Sequence, residues 1–378
     1  MPTGLGHDYL LVMRGAERTF AQIAMCFPGA PIHTLLHDPD GVGDAFAGHA
    51  IHPSGLQRLP VRQRGFRYLL PLYPAAVGRI DVSDYDVLVT SSSAFAIGLR
   101  PAPEATHVCY CHSPFRYASH ERDRAFLEIP LPLRPLLAFE LERIRRWEAR
   151  ASEGVDHLIA NSKITRRRIA ELWHRDSEVI HPPVDVERFQ VGAPEDFVLI
   201  VGELVSHKRV ADALAAAQRA GRPVKVVGTG PELDSLAARF TTGVEFLGRV
   251  DDDVLTQLMP RALAVIVSAV EEFGIVSVEA QAAGRPVIAP DRGGALETVI
   301  DGRTGLLYPA DDFDKLAEIL RDVDFTRFDP DAARESAARF HEAEFRRRIT
   351  EYVAEVSGSG SRARRRGDAA RPVCSIST

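Results

Sequence analysis

The sequence predicts an α/β protein of two Rossmann-like domains, and three observations support this fold class. The chain has 378 residues, more than one hydrophobic core usually organises, so we expect two domains. In the second half, short β-rich runs alternate with amphipathic helical runs at the spacing of βα units. The first half repeats this alternation less regularly. Such alternation is typical of a parallel sheet with helices on both faces.

The second half contains six predicted strands, separated by five predicted helices. The strands are Phe197–Val201, Val224–Val227, Val244–Leu247, Ala264–Ser268, Pro286–Ala289 and Gly305–Tyr308. The helices are Val210–Arg219, Pro231–Arg239, Asp253–Arg261, Ile275–Ala283 and Ala295–Ile300. This pattern predicts a complete Rossmann-like domain.

The first half is predicted to form another α/β domain. Its predicted strands are Ile32–Leu36, Tyr85–Thr90, Thr106–Cys111 and His157–Asn161, and its predicted helices are Glu17–Phe27 and Pro135–Ser152. Residues 1–6 include two glycines and predict only a poor first strand. We therefore expect either that the first strand of this domain is eroded or that the start codon is misplaced.

The domain boundaries follow from proline, glycine and polar runs. We predict an N-terminal domain over 1–185, a second domain over 186–335, a helix over 336–356 that packs back on the first domain, and a disordered tail over 357–378. Pro182-Pro183 and the polar run Gly192–Glu195 mark the junction, since proline cannot continue a central strand. Gly-Ser repeats and an arginine run predict the tail. Because ligands of such sheets bind beyond the carboxyl ends of the strands, the two domains are expected to face each other across a ligand-binding cleft.

Composition excludes several classes of protein. Apolar residues make up 45% and charged residues 26%, the balance of a globular protein, and the net charge of −6 argues against nucleic acid as a partner. The four cysteines are too few for a disulfide framework, and Cys109 and Cys111 are interpreted as buried thiols rather than metal ligands. Neither a signal sequence nor a run of 18 apolar residues occurs, so we expect a cytoplasmic protein. The fingerprints of dehydrogenases and P-loop ATPases are missing.

The strongest functional motif runs from Ser268 to Ile288. A strand ends at Ser268, an acidic loop follows, and a helix runs from Gly274 to Gly284. Glu271 and Glu279 could place one carboxylate on a sugar and the other on a ribose, although in isolation two such glutamates indicate a solvated helix face. The backbone N–H groups at the start of this helix would face a diphosphate, through Phe273, Gly274, Ile275 and Val276.

This motif resembles the signature of the family-4 retaining glycosyltransferases, which have the GT-B fold. The resemblance extends over nearly the whole chain through His7–Tyr9, Gly15–Arg18, Phe27–Pro31, Tyr110–Tyr117, Val201–Arg209, Gly228–Glu232 and Phe246–Val250. It implies transfer of a glycosyl group, with retention, from a nucleoside-diphosphate sugar to an acceptor hydroxyl, with neither a metal nor a further cofactor. The His-Asp-Tyr and Cys-His-Ser-Pro-Phe-Arg-Tyr motifs favour bacterial enzymes of glycan assembly that use GDP-mannose. Polysaccharide intermediates, glycolipids and small molecules all stay open as acceptors.

The resemblance also implies roles for individual residues on the donor side. Lys208 would hold the departing diphosphate and is, with His112 and Glu271, one of three expected catalytic residues. Gly202, in the same loop, is expected to contact the donor. Glu203 stands where the family usually has an arginine, and Arg209 could compensate. Further donor contacts are expected at Gly15, Arg249 and Val250, the last two beside the base.

Residues on the acceptor side follow from the same resemblance. His112, at a strand end, would lie near the transferred sugar and, with Glu271, stabilise its transition state, although alone it would indicate a structural histidine. Arg116 and Tyr117 could contact the acceptor. Ser162 could cap a helix or contact the donor.

Two other functions and one further partner stay open. Another GT-B enzyme, such as a sugar-nucleotide epimerase or a phosphorylase, would share the fold, and Glu203 raises the alternative of a non-catalytic partner protein. The Asp-x-Asp triplets at 38–40, 251–253 and 329–331 are interpreted as turns or helix caps rather than metal sites. The basic, amphipathic segment Arg62–Leu70 could contact the inner face of a membrane or pack in the core or acceptor groove.

Overall fold

The computed structural model describes residues 1–59, 65–127 and 129–368, and the chain divides into two compact units. The first unit comprises Met1–Asn161, Thr165–Ile180 and the chain from Arg346 on. The second comprises Ser162–Ile164 and His181–Phe345. The main division therefore falls at Ile180, five residues before the predicted boundary.

The described residues contain thirteen strands. They are β1 Thr3–Leu10, β2 Ile32–His37, β3 Ile51–Pro53, β4 Val87–Ser92, β5 Thr106–Cys111, β6 His157–Ala160, β7 Glu178–Val179, β8 Val198–Val201, β9 Val224–Val227, β10 Val244–Gly248, β11 Ala264–Ile266, β12 Val287–Pro290 and β13 Gly305–Tyr308.

Fourteen α-helices are found in the described part of the chain. They are α1 Gly15–Met25, α2 Pro39–Val42, α3 Tyr73–Val77, α4 Arg122–Leu127, α5 Arg134–Ser152, α6 Lys163–Trp173, α7 Val210–Ala220, α8 Leu233–Arg239, α9 Asp252–Leu258, α10 Ile275–Ala282, α11 Ala295–Thr298, α12 Phe313–Asp322, α13 Pro330–Ala338 and α14 Glu342–Asp368. Among these residues, no helix combines the length and apolar character needed to cross a membrane.

Each unit contains one parallel sheet with the Rossmann strand order. The first has the order β3-β2-β1-β4-β5-β6-β7 and the second β10-β9-β8-β11-β12-β13. In both, the chain builds outward in one direction from the first strand and then returns to build in the other. The switch points therefore lie between β1 and β4 and between β8 and β11, and ligands of such sheets bind beyond the strand ends at these points.

The prediction of an eroded first strand was wrong, because β1 is a complete central strand. It pairs in parallel with β2 and β4. A Cβ added at Gly4 would overlap the ring of Tyr85, and one at Gly6 would overlap a methyl group of Leu99. The two glycines therefore let large side chains pack directly on the strand. Propensity rules penalise this arrangement, but tertiary packing favours it.

The second sheet follows the predicted elements closely. Its strands begin and end within two residues of the predicted bounds. Helix α9 ends three residues early, at Leu258, because Pro260 cannot donate the next helical hydrogen bond. Apolar residues from α7 and α12 cover one face of this sheet, and α10 with α13 covers the other.

The C-terminal helix α14 packs within the first unit from Arg346 on. The guanidinium of Arg346 donates to Gln22 of α1, and Arg348 donates to the carbonyl of Val179 at 2.8 Å. The helix continues to Asp368, whereas a disordered tail was predicted from residue 357. Helical hydrogen bonds thus extend through the Gly-Ser run that suggested disorder, and residues 369–378 lie outside the described residues.

Candidate functional site

The loops that follow β8 and β11 meet at the switch point of the second sheet. Lys208 ends a short turn after β8, and its ammonium group is ion-paired with the carboxylate of Glu271 in the loop after β11. The hydroxyl of Ser268 donates to the carbonyl of Lys208 at 2.6 Å and ties the two loops together. The structure therefore joins two of the three residues predicted to be catalytic.

Helix α10 begins beside this ion pair with a left-handed residue, Gly274, at φ +88°. The N–H groups of Ile275 and Val276 lie in its first turn, where backbone donors have no acceptor within the helix. Their partial positive charge suits an anionic ligand next to Lys208. Phe273 precedes the turn and is buried against Phe340 and His181, which fixes the entry to the helix.

Glu279 lies one turn further along α10 and is nearly enclosed. Its side chain is 11% exposed, and its Oε1 accepts a hydrogen bond from Arg188, which precedes β8. The carboxylate predicted to bind ribose is thus held by a cation from another part of the second unit.

Two glycines, Gly294 and Gly228, allow the loops to pack backbone against backbone. A Cβ at Gly294 would overlap the carbonyl of Phe273, and Gly294 donates its N–H to the carbonyl of Glu271 at 2.8 Å. Gly228, at φ +140°, lies against the carbonyl of Gly202 in the same way. Side chains at these positions would push the site loops apart.

Other predicted donor-side residues are less directly placed. Arg209 is engaged by Asp212 at 2.5 Å and Asp311 at 2.7 Å, so these carboxylates compete with its predicted compensating role. Glu203 is exposed and forms no ion pair with another described residue. Arg249 and Val250 directly follow β10, at the same edge of the second sheet.

A second cluster lies at the switch point of the first sheet. Nδ1 of His7, in β1, lies 3.1 Å from the carbonyl oxygen of Ser91 in β4. Because a carbonyl oxygen only accepts, Nδ1 is the donor in this hydrogen bond. The hydroxyl of Ser91 lies 2.8 Å from Nε2 of His112, directly after β5. Phe20 stacks on His7 at 4.6 Å. Two strand ends thus orient the predicted catalytic histidine.

His112 is a neutral imidazole. Burial, with the nearby His7 and Arg116, lowers the pKa of His112 to about 3. Such a group can donate or accept a hydrogen bond, but it carries no charge near neutral pH.

A buried carboxyl supports the loop after His112. Glu148 of α5 accepts from the N–H of Phe115 at 2.8 Å, and its burial raises its pKa to about 8 despite that bond and one from Trp173. Arg116 lies on the next turn, 3.7 Å from Glu121, and Tyr117 packs edge-on against Phe115.

Three further residues lie at a turn or at the start of a helix. Asp8 accepts from the N–H groups of Phe95 at 2.8 Å and Ala96 at 2.6 Å, so it caps the turn after β4. Gly15 is exposed and is the first residue of α1. Ser162 directly precedes α6 and has no exposed surface, which favours a role at the helix start over a donor contact.

The sequence pointed to neither Ser91 nor Arg188 as a site residue. Ser91 belongs to a Ser-Ser-Ser run at a strand end, a signal that could have suggested it. Arg188 lies in a linker segment and belongs to no recognisable motif. Its contact with Glu279 arises only when the chain folds.

Comparison with known proteins agrees with this architecture. Residues 13–188 match the family model "Glycosyltransferase Family 4", and residues 195–323 match "Glycosyl transferases group 1". Anabaena HepE, solved with UDP and glucose, is similar in structure with a TM-score of 0.68, 20% identity and coverage of 94% of this chain and 100% of HepE. A sucrose-phosphate synthase from Thermosynechococcus elongatus gives a TM-score of 0.72 at 16% identity, with coverage of 95% and 100%. At these identities the similarity concerns the fold.

The chain has the GT-B fold, and two glycosyltransferase family models match it, each over less than half of its length. Among relatives by sequence, a glycogen synthase of Mycobacterium tuberculosis is 32% identical over 223 residues, which are 54% of this chain and 52% of that protein. A D-inositol 3-phosphate glycosyltransferase of Mycobacterium avium is 31% identical over 254 residues, 57% of this chain and 60% of the relative. The chain thus aligns with between half and two thirds of these relatives' length.

Proposed function

We propose that this protein transfers a hexose, with retention of configuration, from a nucleoside-diphosphate sugar to an acceptor hydroxyl. The observation that carries the proposal is the meeting of Lys208, Glu271 and the first turn of α10 at the switch point of the second sheet. This is a cation beside a set of backbone donors, which suits a diphosphate leaving group.

Each group in the second unit has a part in this proposal. Lys208 and the N–H groups of Ile275 and Val276 stabilise the negative charge that develops on the departing diphosphate, in place of a metal ion. Glu271 orients the sugar, and Glu279 accepts hydrogen bonds from the ribose. The segment at Arg249 holds the base.

Within the first unit, His112 is a neutral hydrogen-bonding group. Because its pKa is lowered to about 3, it does not act as a general acid near neutral pH. We propose that it orients a sugar hydroxyl, with its own ring fixed by Ser91.

Two donors are consistent with the proposal. The sequence motifs favour GDP-mannose, while the complexes of Anabaena HepE with UDP and with UDP-glucose favour a glucose donor. Each nucleotide sugar should be tested by nucleoside-diphosphate release with and without glycan, glycolipid and small-molecule acceptors. Acceptor-dependent release supports transfer. Conversion of the donor without an acceptor would favour an epimerase, release of a sugar phosphate would favour a phosphorylase, and no nucleotide binding would favour a partner protein.

We also propose that the first unit contacts a lipid surface that carries the acceptor, on the cytoplasmic side where nucleotide sugars are available. Four apolar side chains just before and at the start of α5 are more than half exposed: Leu131, Leu133, Leu136 and Phe139. Exposed apolar clusters of this kind mark interaction surfaces. Residues 62–64 of the predicted basic segment lie outside the described residues, and Phe66–Leu72 form a short 3-10 helix.

Sedimentation with anionic vesicles tests this contact. We expect Leu136→Asp with Phe139→Asp to abolish binding. Leu296→Asp, at a leucine of the second unit that is also more than half exposed, should leave binding unchanged. If the parent chain does not sediment with the vesicles, the lipid contact is wrong.

A further inference from the structure

Arg285 is a buried cation that lies just before β12. The residue is only 5% exposed, and its guanidinium group forms no hydrogen bond or ion pair with another described residue. Burial lowers the pKa of Arg285 from its ordinary value. Buried charges in proteins are normally paired, because an unpaired charge loses its hydration without compensation. This arginine therefore calls for a partner that the described part of the chain does not supply.

The terminal nitrogens of this guanidinium can still be reached by a ligand. Its Nε is fully buried without a partner, whereas the two Nη atoms, which also lack a partner among the described residues, keep some accessible surface. The planar fork of N–H donors on an arginine matches the oxygens of a phosphate or a carboxylate. The side chain is thus suited to an anion.

Strand pairing places Arg285 next to Arg303. Val287 pairs with Gly305 in the parallel ladder, and each arginine precedes one member of this pair by two residues. The ladder continues towards them, because the N–H of Val287 donates to the carbonyl of Thr304 at 3.2 Å. Neighbouring strands lie about 4.8 Å apart. The two arginines therefore start from adjacent points at the amino edge of the second sheet.

Arg303 lines a pocket of about 390 Å³ at this edge. Arg327 is a second cation of the lining, and its guanidinium carbon lies 5.4 Å from the ring centre of Phe328, which lines the pocket as well. A Cβ at Gly284 would lie 2.9 Å from Cβ of the first residue of α13, in the segment that forms this wall. The residue before Arg285 thus packs against the pocket wall, and three arginines meet there.

The carboxylates around this pocket are already engaged. Asp329 lines the pocket, and its Oδ1 accepts the N–H of Asp331 at 3.0 Å as the cap of α13. Glu335 lies 2.9 Å from Nη2 of Arg303, and both of these side chains are more than half exposed. Arg327 forms no ion pair with another described residue. The three guanidinium groups therefore outnumber the two carboxylates of Asp329 and Glu335, which favours a negatively charged ligand.

We propose that this edge of the second unit binds a phosphate group, either free inorganic phosphate or the phosphate monoester of a small molecule, through Arg285, Arg303 and Arg327. A phosphate suits the site better than a carboxylate, because its second charge and further oxygens can engage a second arginine. The site lies at the amino ends of β12 and β13, whereas Lys208 and Glu271 follow the carboxyl ends of β8 and β11. These are opposite edges of one parallel sheet, so the inference does not depend on the proposed function.

Calorimetric titration with inorganic phosphate, glycerol 3-phosphate and acetate, at constant ionic strength, tests this site. Every protein carries Lys208→Ala, so that the proposed donor site does not contribute. In this background, Arg285→Met replaces the buried cation by an unbranched apolar side chain, and Arg327→Gln removes a cation of the pocket lining. Arg321→Met is the matched control, because it removes an exposed arginine of the same unit that does not line the pocket.

The background protein should bind at least one of the two phosphate compounds, and Arg285→Met should weaken that binding roughly 10- to 100-fold. Arg327→Gln should weaken it about threefold to tenfold, while Arg321→Met should change it less than about twofold. Without any anion, Arg285→Met should unfold at a temperature no lower than the background, because an apolar side chain replaces an unpaired buried charge. A lower Tm would contradict the absence of a partner within the fold.

The outcomes also identify the source of the phosphate. Tighter binding of glycerol 3-phosphate than of inorganic phosphate supports a monoester, and the reverse order supports the free ion. Acetate that binds as tightly as phosphate would contradict the choice of phosphate. The inference is overturned if neither phosphate compound binds, or if Arg285→Met binds as tightly as Arg321→Met. Should Arg285→Met fail to fold, Arg327→Gln decides, and an unchanged affinity in that variant overturns the site.

Discussion

Substitution of Glu271 by Gln should strengthen the binding of a nucleoside diphosphate that carries no sugar. Lys208 is paired with Glu271 in the structure, and a diphosphate must compete with that carboxylate for the ammonium group. The side chains of Lys208 and Glu271 are 28% and 26% exposed, so solvent screens the pair. A partly exposed ion pair contributes about 1 kcal/mol, and its removal should raise the affinity roughly fivefold.

Lys208→Ala should act in the opposite direction. It removes charge-assisted hydrogen bonds to the diphosphate and leaves Glu271 as an uncompensated negative charge, so the affinity should fall roughly 10- to 100-fold. Adding Glu271→Gln to Lys208→Ala should recover part of this loss by removing the repulsion.

Calorimetric titration with UDP, GDP and ADP at two salt concentrations measures both effects, because salt should weaken the parent more than Lys208→Ala. Transfer by Glu271→Gln should fall even as diphosphate affinity rises, since the sugar loses its proposed partner. The reasoning is refuted if Glu271→Gln weakens binding of the bare diphosphate as much as Lys208→Ala does.

Three other outcomes follow from the structure. His112→Asn should lower transfer while diphosphate affinity stays unchanged, and parent kcat/KM should show no ionisation of His112 between pH 5 and 8, because its pKa lies at about 3; a titration lost in His112→Asn would contradict this. Glu148 has a folded-state pKa of about 8 against an ordinary 4.5, so the folded state holds a proton that the unfolded state loses and stability should fall as pH rises between these values. Urea unfolding at pH 5 and pH 8 should show a smaller change in the free energy of unfolding for Glu148→Gln than for the parent. An equal change in the two proteins would contradict the raised pKa of Glu148. Gly228→Ala should cost roughly 1 to 3 kcal/mol more than Gly302→Ala in the same assay, because both have positive φ but only Gly228 meets a backbone carbonyl; equal costs would argue against that contact.

Much of the fold could be predicted because the second unit's strands and helices alternate with clear periodicity. Strand β1 could not be predicted, because its glycines make room for the side chains of Tyr85 and Leu99, which are far away in sequence. The ends of α9 and α14 were misplaced for opposite reasons. A proline inside the predicted range stops α9, whereas the Gly-Ser run does not stop α14.

The candidate site was predictable where a motif carries it. Lys208, Glu271 and the start of α10 meet at a switch point, as their positions at strand ends indicate. The ion pairs could not be predicted, because the partner of Glu279 is Arg188, 91 residues away. Arg209 was expected near the phosphate, but Asp212 and Asp311 are its partners, and such competition is visible only in three dimensions.

Thermal unfolding with UDP, GDP and ADP in parallel tests the central claim most directly, which is that the second unit binds a nucleoside diphosphate at Lys208. A ligand at 100 times its Kd that binds only the folded chain raises the free energy of unfolding by about 2.7 kcal/mol. We expect at least one nucleotide to raise the Tm of the parent and the shift to be lost in Lys208→Ala. A parent chain that none of the three stabilises, or a shift that survives in Lys208→Ala, would contradict the assigned site.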